Sequence, residues 1–514
     1  MNLQLTAPTI LRIPTEVADS LRDFLTYEDK NVTYEWRKWH KIQKLDDQWL
    51  LSDQRRKRNW FITKNSRYEL DEKVKELASQ KFKCLLFRDA KGYYTYSGLA
   101  TSISQKTGLK VVREFELPKR EVIYWNSPPE HEPRWYQSKS VELLAPPDGS
   151  RSHGAVELFT GAGKSLTMAL LLKEIGLPAV IMAPTLSIAN QLLADFKKWF
   201  GPTKVGQFFD SKKQADRFFV VAVSDSLVGI EENTEDYDLI SNKKIIVIDE
   251  SHLVAAETLA KIAVGLLKNI PYRYSFSGTQ LRPDGLGLLL DAIIGDVVLE
   301  MDVRQGIEGG FISPYKAFMW EITSDSKLEV DDPIKNTRIH LRYNQRINNH
   351  AVKLAKHAVS KGRRVLILIA EVEQFKYLMK AGILDGLSVG FAHGGGLKKE
   401  QKEELPKQFH KSDPMQLVED FDNGKFQVLV GTSCISVGTD LRSVSCIINL
   451  VGLTSEIQVR QGVIGRGTRL FPGKTDNIIN DYCVTNVDKQ LTHAKKRIKI
   501  FNSVYGTVTN VSIK

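Results

Sequence analysis

The chain has 514 residues, too many for a single hydrophobic core, and this length predicts roughly three or four structural units. Hydrophobic residues make up 42% of the chain and charged residues 26%, a composition that excludes a disordered protein. The excess of 72 lysines and arginines over 61 aspartates and glutamates gives a charge of +11, which favours a polyanionic partner but does not identify it.

The cysteines and the apolar segments exclude further classes. The four cysteines lie far apart without a C-x-x-C pair, which argues against a zinc site and a disulfide framework and fits a reducing compartment. No basic stretch followed by an apolar run opens the chain, and no segment approaches the roughly 18 uninterrupted apolar residues of a membrane helix. We therefore expect a cytoplasmic protein without a membrane partner.

Residues 1–125 mix short aromatic runs with basic clusters, one of them at residues 55–58, and contain no phosphate-binding loop. The run GYYTYSGL predicts strands and DEKVKELASQKF predicts an amphipathic helix, so this segment is expected to form a small α+β accessory domain. Arg37 and Lys38 are its candidate nucleic-acid contacts. The neighbouring Trp36 and Trp39 either stack on bases or pack in a core.

From residue 126 the pattern changes to apolar strands alternating with helical segments, which is typical of parallel α/β layers. The first layer is predicted over residues 126–325, with strands in AVELF, AVIMAP, FFVVAV, KIIVIDE and YSFSGT. The second is predicted over residues 326–490, with strands in RVLILIA, LSVGFAHG, QVLVGTS, CIINLVG and NIINDYCV. The two join near residues 320–340, and a basic tail covers residues 491–514.

The segment LFTGAGKS, residues 158–165, follows an apolar strand and opens a helical run, which is typical of a phosphate-binding loop. Glycines let backbone N–H groups wrap phosphate oxygens, Lys164 reaches the β and γ phosphates, and Ser165 can ligate Mg²⁺. Leu158 departs from the full motif because it stands where a glycine is expected. The predicted cofactors are therefore ATP and Mg²⁺, with ATP held by Thr160, Gly161, Ala162, Gly163, Lys164 and Ser165.

An apolar strand in KKIIVIDESH delivers Asp249 and Glu250 to its C-terminal end, where ligands of open α/β sheets bind. Asp249 can hold Mg²⁺ through water, and Glu250 can orient or deprotonate the water that attacks the γ phosphate. An acidic pair in this position can also cap the next helix.

The segment QVRQGVIGRGTRL places Gln461, Arg466 and Arg469 at helical spacing. Alone, such arginines are more often solvated than catalytic. In a chain with a phosphate loop they are candidate arginine fingers, which neutralise charge developing on the transferred phosphoryl group. Because they belong to the second layer, we expect ATP to bind in a cleft between the two layers.

In chain order these segments resemble the motif series of superfamily 2 helicases of the D-E-x-H type, over about residues 133–483. The resemblance implies an α/β fold with two tandem RecA-like parallel-sheet domains behind the accessory domain. PRWYQ resembles the adenine-reading segment, APT the strand-contacting motif Ia, DESH motif II, SGT the coupling motif III, VLVGTSCISVGTDL motif V and QxxxGRGxR motif VI. The residues implied are Arg134 and Gln137 for ATP, Pro184 and Thr185 for the strand, His252, Ser277 and Thr279 for coupling, Thr432 for the backbone, and Gly438 and Asp440 for the nucleotide.

Within superfamily 2 the chain is similar to bacteriophage recombination helicases of the UvsW type. Its size, the stretch SGTQLRPDG and the N-terminal LRDFLTYEDKNVTYEWRKWHKI carry this likeness, while Ser251 and Gln280 depart from many relatives. It implies an ATP hydrolase that unwinds or branch-migrates forked and junction DNA, moving 3′ to 5′, in phage replication, recombination and repair.

The expected partner is branched or forked DNA, bound by a monomer through phosphates and without sequence specificity, next to replication or recombination proteins. Ser224, in the turn after FVVAV, is a further candidate phosphate contact. The C-terminal HAKKRIKIF is either a DNA-binding patch or a solvated last turn, and its cations are Lys495, Lys496, Arg497 and Lys499. His393, in FAHGG, either lies near the strand or caps a turn.

Three other functions compete with this prediction. A double-strand translocase of the remodelling or restriction-subunit kind shares all these motifs, although no nuclease-like cluster is evident. An RNA helicase stays open because contacts to the 2′-hydroxyl are not encoded in the motifs. A binding module that uses ATP only as a latch is disfavoured, because a latch does not need Glu250, Arg466 and Arg469.

Overall fold

The computed structural model describes residues 1–43, 64–254, 256–279, 284–326, 328, 330, 332–394, 396–435, 441–452, 456 and 458–513. Its internal contacts divide the chain into two compact units. The first contains residues 1–156 and 165–299, and the second contains residues 157–164 and 300–514. This division differs from the four predicted ranges, because it joins the accessory segment to the first parallel sheet and begins the second unit before residue 326.

The N-terminal part of the first unit is built on a mixed sheet in the order β5-β6-β2-β1-β7. Its pairs are antiparallel except for β1 with β7, and β3 pairs with β4 separately. The strands are β1 (Leu3–Ala7), β2 (Ile10–Ile13), β3 (Thr26–Glu28), β4 (Phe82–Cys84), β5 (Phe87–Asp89), β6 (Gly92–Tyr96) and β7 (Val111–Arg113). The helices are α1 (Thr15–Ala18), α2 (Lys30–Gln43), α3 (Lys64–Gln80) and α4 (Ala100–Thr107). The predicted α+β accessory fold is confirmed.

The rest of the first unit is a mostly parallel sheet, in the order β11-β10-β12-β9-β13-β14-β8-β15 for the described residues. Strands β9, β10, β12, β13 and β14 are buried along their whole length, as expected for parallel strands covered by helices on both faces. The strands are β8 (His153–Leu158), β9 (Ala179–Ala183), β10 (Val205–Phe209), β11 (Lys212–Lys213), β12 (Phe219–Val223), β13 (Ile245–Asp249), β14 (Tyr272–Ser277) and β15 (Val297–Met301). The helices are α5 (Trp135–Leu144), α6 (Lys164–Ile175), α7 (Leu186–Phe200), α8 (Ser224–Val228), α9 (Glu235–Ser241), α10 (Ala256–Ala260), which continues into a π-helical turn (Lys261–Leu266), and α11 (Gly287–Ile294).

One hydrophobic core joins the accessory sheet to the parallel sheet of the first unit. Leu3, Leu11 and Leu99 from the N-terminal part belong to the same buried cluster as Ile246 and Ile293 from the parallel part. The backbones approach closely at Gly98, where an added Cβ would lie 2.3 Å from the carbonyl oxygen of Asp291. Only glycine fits this position, so the accessory part is packed firmly on the sheet that carries the phosphate-loop strand.

The second unit contains a parallel sheet in the order β18-β19-β17-β20-β21-β16-β22 within the described residues. Every neighbouring pair in this order is parallel. The strands are β16 (Tyr315–Ile322), β17 (Val365–Leu368), β18 (Val389–Ala392), β19 (Val428–Gly431), β20 (Cys446–Asn449), β21 (Asn477–Val484) and β22 (Thr509–Ser512). The helices are α12 (Val303–Glu308), α13 (Pro333–Thr337), α14 (Gln345–Ser360), α15 (Gln374–Lys380), α16 (Lys399–Glu404), α17 (Pro414–Asp422), α18 (Gly465–Gly467) and α19 (Asp488–Val504), with π-helical turns at Arg338–Arg342 and Gln458–Ile464.

The parallel-sheet prediction is confirmed in both units, and each of the ten named strand segments contains a strand. Strand β10 was not predicted, because Gly206 and Gln207 interrupt its apolar run although all five residues are buried. Strand β16 pairs with β21 along eight positions and so belongs to the second sheet, whereas the predicted boundary at residue 326 assigned it to the first.

Candidate nucleotide and nucleic-acid site

The phosphate loop follows β8 and leads into α6. Leu158 ends β8 and is fully buried, which explains an apolar residue at the position of the expected glycine. Gly161 and Gly163 have φ angles of 92° and 81°, a region that side chains disfavour. Helix α6 begins at Lys164, and the N-terminus of a helix favours the binding of phosphate oxygens. The loop conformation therefore fits a phosphate-bearing ligand such as ATP.

In the second unit, the loop residues 157–164 lie against the segment that carries the predicted arginines. A Cβ added to Gly161 would lie 3.4 Å from Arg469 Cγ, and one added to Gly465 would lie 2.7 Å from Thr160 Oγ1. The N–H of Phe159 donates to the carbonyl of Met301 at 3.0 Å. Three predicted residues, Thr160, Gly161 and Arg469, are thus close neighbours.

The predicted adenine-reading residues lie at the start of α5. Gln137 is buried, and its Oε1 accepts a hydrogen bond from the Arg134 N–H at 2.8 Å, which closes the first turn of the helix. Arg134 Nη1 donates to the Tyr136 hydroxyl at 2.8 Å. The structure thus gives Gln137 a helix-capping bond, and its contact with ATP stays a prediction.

Asp249 and Glu250 stand at the C-terminal end of β13, as predicted. Asp249 is the last strand residue and is buried. Glu250 has a φ of 46°, an unusual value for a residue other than glycine, and its N–H donates to the Phe276 carbonyl at 2.8 Å. An outlier of this kind persists only where the surrounding structure holds it, and it fixes the direction of the Glu250 side chain.

A hydrogen-bonded network joins Glu250 to the three predicted coupling residues. Glu250 Oε2 lies 3.2 Å from both Ser277 Oγ and the Gly278 N–H, and 3.4 Å from His252 Nδ1. Ser277 Oγ also lies 2.6 Å from His252 Nδ1 and 2.5 Å from the carbonyl oxygen of Thr279. The Ser277 hydroxyl has one proton and several partners, so a change at Glu250 can redirect its hydrogen bond. This gives motif II and motif III a direct physical connection.

Ser165 and Asp249 are the predicted Mg²⁺ ligands. Ser165 is the second residue of α6, and Asp249 ends β13, with β14 between β13 and β8 in the sheet. Hydroxyl and carboxylate oxygens are the ligand types that Mg²⁺ prefers, so the donor set fits this ion. Their joint coordination of Mg²⁺ stays a prediction.

The predicted arginine-bearing segment is not one continuous α-helix. Gln461 lies in the π-helical turn, Arg466 in the short α18, and Arg469 beyond the end of that helix. The expected helical spacing of all three is therefore wrong, because the helix changes pitch at Ile464 and ends at Gly467. Arg466 is buried, and burial lowers the pKa of Arg469 to about 10.

Lys474 was not predicted, although it contacts this segment directly. Its Nζ donates to the Arg469 carbonyl at 2.9 Å. The only sequence signal is the Pro-Gly pair at positions 472 and 473, which predicts that the chain turns back after motif VI.

Four predicted nucleic-acid contacts lie just after parallel strands. Pro184 and the exposed Thr185 follow β9, and Ser224 follows the adjacent β12. Thr185 also caps α7, since its Oγ1 accepts from the Ile188 N–H at 3.4 Å. Thr432 follows β19 in the second sheet, and its Oγ1 donates to Cys434 Sγ at 3.4 Å. Their DNA contacts stay predictions.

Some predicted residues lie outside the part of the chain that the structure describes. They are Gly438 and Asp440 of motif V, Gln280 after motif III and the basic cluster at residues 55–58.

The N-terminal tryptophans have cations over their rings. Lys81 Nζ lies 3.7 Å from the ring centre of Trp36, and Lys73 Nζ lies 4.2 Å from that of Trp39. Trp36 also stacks on His40 at 4.5 Å. These contacts favour packing over base stacking, while Arg37 and Lys38 on the same helix are exposed.

The basic C-terminal segment divides into a buried and an exposed part. Arg497 is buried in α19 and pairs with Asp481 of β21, with Nε at 2.9 Å from Oδ2. Neither predicted role fits Arg497, because helix packing turns its side chain into the sheet. Lys495, Lys496 and Lys499 are exposed.

His393 is buried, and its Nε2 lies 3.0 Å from the Phe409 carbonyl oxygen, so it holds a turn. Among the described residues, every helix is too short or too polar to span a bilayer. The same part of the chain holds no group of three or more His, Cys, Asp or Glu side chains able to bind a metal ion.

Family models match the two regions that carry these sites. The model described as type III restriction enzyme, res subunit, matches residues 130–282, and the helicase conserved C-terminal domain matches residues 348–470. The chain belongs to superfamily 2 of the helicases. Membership implies an ATP-driven helicase that acts on nucleic acid, and the predicted superfamily is confirmed.

Two viral proteins are similar over most of their length. Helicase 22 of Sulfolobus islandicus filamentous virus is 22% identical over 488 residues, which cover 88% of this chain and 84% of the relative. Probable helicase D10 of Escherichia phage T5 is 23% identical over 351 residues, which cover 68% and 72%.

A solved structure shares the fold. A fragment of an HsdR subunit of a type I restriction enzyme from Vibrio vulnificus YJ016 aligns with a TM-score of 0.55 and 16% identity, over 75% of this chain and 70% of the other. T4 UvsW aligns over 100% of this chain and 99% of the other at 16% identity, with a TM-score of 0.39 that is too low to inform the substrate.

Proposed function

We propose that this superfamily 2 helicase is an ATP-dependent DNA motor that unwinds or branch-migrates forked and junction DNA. It moves 3′ to 5′ and serves phage DNA replication, recombination and repair in the host cytoplasm. The matches to viral helicases support a viral role, and the charge of +11 supports a polyanionic partner.

The observation that carries the proposal is the network of Glu250, His252, Ser277 and Thr279. Glu250 Oε2 accepts hydrogen bonds from Ser277 and Gly278, which direct the carboxylate, and a carboxylate held in this way can take a proton from the attacking water. A protein that uses ATP only as a latch has no use for a carboxylate linked in this way to a second motif.

The proposed roles at ATP follow from the chemistry of each side chain. The amides of Gly161 to Gly163 and the Lys164 amine bind phosphate oxygens, and Ser165 and Asp249 hold Mg²⁺. Arg466 and Arg469 neutralise charge on the transferred group, with Gln461 beside them, and Arg134 and Gln137 read the base. When bound, Mg²⁺ supplies a cation that neutralises phosphate charge, and ATP supplies the phosphoryl group that is transferred to water.

The proposed DNA contacts are sequence-independent. Thr185, beside Pro184, and the buried Ser224 carry hydroxyl groups at the ends of adjacent strands, and such groups bind phosphate oxygens without reading bases. Thr432 does the same in the second unit. The exposed Arg37 and Lys38 add salt-dependent affinity.

A second candidate function is a duplex translocase that does not separate strands. The match of residues 130–282 to the restriction res-subunit model favours it specifically. The two functions share the ATPase residues, so only the response to different DNA structures separates them.

The test measures ATP turnover and strand separation together on single strands, plain duplex, a fork and a four-way junction, in DNA and RNA forms. The proposal expects forks and junctions of DNA to stimulate turnover and to come apart. Stimulation by plain duplex without separation would replace it with the translocase, and a preference for RNA forms would replace the DNA substrate.

Two variants tie the measured activity to this chain. Glu250→Gln removes the carboxylate, whereas Glu232→Gln changes an exposed glutamate in the same unit and serves as the matched control. Turnover that survives Glu250→Gln unchanged would contradict the assigned site.

A further inference from the structure

Lys474 closes a tight turn that follows motif VI in the second unit. Its N–H donates to the Phe471 carbonyl at 3.0 Å, and its Nζ returns to the Arg469 carbonyl at 2.9 Å. Gly473 has a φ of 79°, which lets the chain reverse within a few residues. The turn thus uses both nitrogens of Lys474 to hold the backbone that bears Arg469.

The backbone just before Arg469 is held as well. The Ser313 N–H donates to the Thr468 carbonyl at 2.6 Å. A Cβ added to Gly467 would lie 1.7 Å from Asn477 Nδ2, so Asn477 packs directly on this turn. Two consecutive carbonyls, those of Thr468 and Arg469, are therefore fixed, and Lys474 supplies the second bond.

Lys474 makes this bond as a half-buried amine rather than as half of an ion pair. Its charged surroundings are Arg469, Arg363, Asp422 and Asp476. Asp476 pairs with Arg363 at 2.7 Å, and Asp422 accepts hydrogen bonds from Ser443 Oγ at 2.6 Å and from the backbone N–H groups of Arg442 and Ser443. Within the described residues, Lys474 forms no ion pair with a carboxylate.

Burial and the neighbouring Arg469 lower the pKa of Lys474 to about 7. The neutral amine still donates to the Arg469 carbonyl, and it adds no charge beside the Arg469 guanidinium. A protonated amine would keep the bond but would repel Arg469. The state of Lys474 near neutral pH therefore affects how firmly this turn is held.

We propose that Lys474 is a positioning residue for ATP hydrolysis, which holds the Arg469 backbone through its amine and so aims the arginine that lies against Gly161. The inference rests on the proposed function, because it assumes that Arg469 acts on ATP.

The experiment compares Lys474→Met, Lys474→Arg and Arg469→Ala with wild type, with the exposed Lys361→Met as the matched control. Folding of each variant is checked by circular dichroism and melting temperature. The readouts are kcat and KM for ATP in the presence of forked DNA, measured from pH 6 to pH 9.

Loss of the amine in Lys474→Met should lower kcat about five- to tenfold, the effect of one lost hydrogen bond, with little change in KM. Wild-type kcat should fall as pH drops through about 7, where the amine gains its proton. Lys474→Met should lack this step. Lys474→Arg, which carries a fixed charge, should behave at high pH as wild type does at low pH.

The outcomes separate the inference from the function on which it rests. Full turnover in Arg469→Ala would overturn the proposed role of Arg469. Loss of turnover in Arg469→Ala together with wild-type kcat and pH profile in both Lys474 variants would overturn the positioning role alone. If Lys474→Met does not fold, the pH profile of Lys474→Arg decides.

Discussion

Glu250 and Arg469 are both predicted to act on ATP, but the protein supports them in different ways. Glu250 stands at a strand end, and its carboxylate is directed by Ser277 and Gly278 from the next strand of the same sheet. Arg469 stands beyond a helix end, and its backbone is held by Lys474 from a following turn.

The difference concerns where the supporting residues lie in the sequence. Ser277 and Gly278, the partners of Glu250, belong to motif III at the end of the neighbouring parallel strand. Parallel strands bring their C-terminal ends to one edge of the sheet, so a motif at the end of one strand can contact a motif at the end of the next. The partner of Arg469 lies outside motif VI, in a turn that has no motif of its own. Substitutions near Glu250 should therefore act directly on catalysis, and those around Arg469 should act through the position of the backbone.

The largest effect on ATP turnover is expected from a change at Glu250. Glu250→Gln removes the group proposed to take the proton of the attacking water, so ATP turnover should fall at least about 100-fold, while ATP binding persists. Steady-state ATPase and nucleotide-binding assays measure the two properties, with Glu232→Gln as the control. A fall of less than about threefold would show that another group serves as the base.

A large effect on stability is expected from a change at Arg497, in the unit that carries Arg469. Arg497 anchors α19 through the buried pair with Asp481, and α19 in turn contacts the motif VI segment through Ser503 Oγ, 3.3 Å from Arg460 Nη2. Arg497→Met leaves the Asp481 carboxylate buried without its cation, so the free energy of unfolding should drop by about 3–5 kcal/mol.

Chemical denaturation measures the drop, with the exposed Lys495→Met on the same helix as the control. Equal stability of the two variants would show that the buried pair does not anchor α19.

A smaller effect is expected at the connection between motif II and motif III. Ser277→Ala removes the hydroxyl shared by Glu250, His252 and Thr279, so strand separation should fall about tenfold and ATP turnover by less. Ser275→Ala is the matched control, because its hydroxyl bonds Ser251 instead, at 2.8 Å. Equal losses of both activities in Ser277→Ala would show a structural role without coupling.

A further expected effect is a pH dependence of stability. The pKa of Lys474 is lowered from 10.5 to about 7 on folding, so between these values the unfolded chain binds more protons. The contribution of Lys474 to the free energy of unfolding should therefore rise with pH from about 7 towards 10.5, and should stay at its lowest value below 7.

The difference in free energy of unfolding between wild type and Lys474→Met, measured across this range, isolates the contribution of the amine. A difference that stays constant with pH would mean that Lys474 keeps its ordinary pKa in the folded protein.

Much of the region around Glu250 could be predicted from the sequence. The apolar strands, the glycines of the phosphate loop and the Asp249–Glu250 pair are local patterns, and a parallel sheet brings strand ends together whatever the rest of the chain does. The connection of His252 to Ser277 could be proposed because each residue lies beside a strand end. The positive φ of Glu250 could not, because side-chain bonds across the sheet hold it.

Less could be predicted of the unit that contains Arg469. Helical spacing placed Arg469 on the same helix as Gln461, but the helix changes pitch and ends before it. Arg497 shares a basic run with three exposed lysines, and only packing against β21 turns it inward. Net charge and periodicity do not reveal which cation of a run is buried.

The most direct test of the account measures ATP turnover with forked DNA in wild type, Glu250→Gln and Arg469→Ala, side by side. The account predicts DNA-stimulated turnover in wild type and its loss in both variants, because the strand-end acid and the last arginine of motif VI act in one reaction. Wild-type turnover in either variant would contradict it.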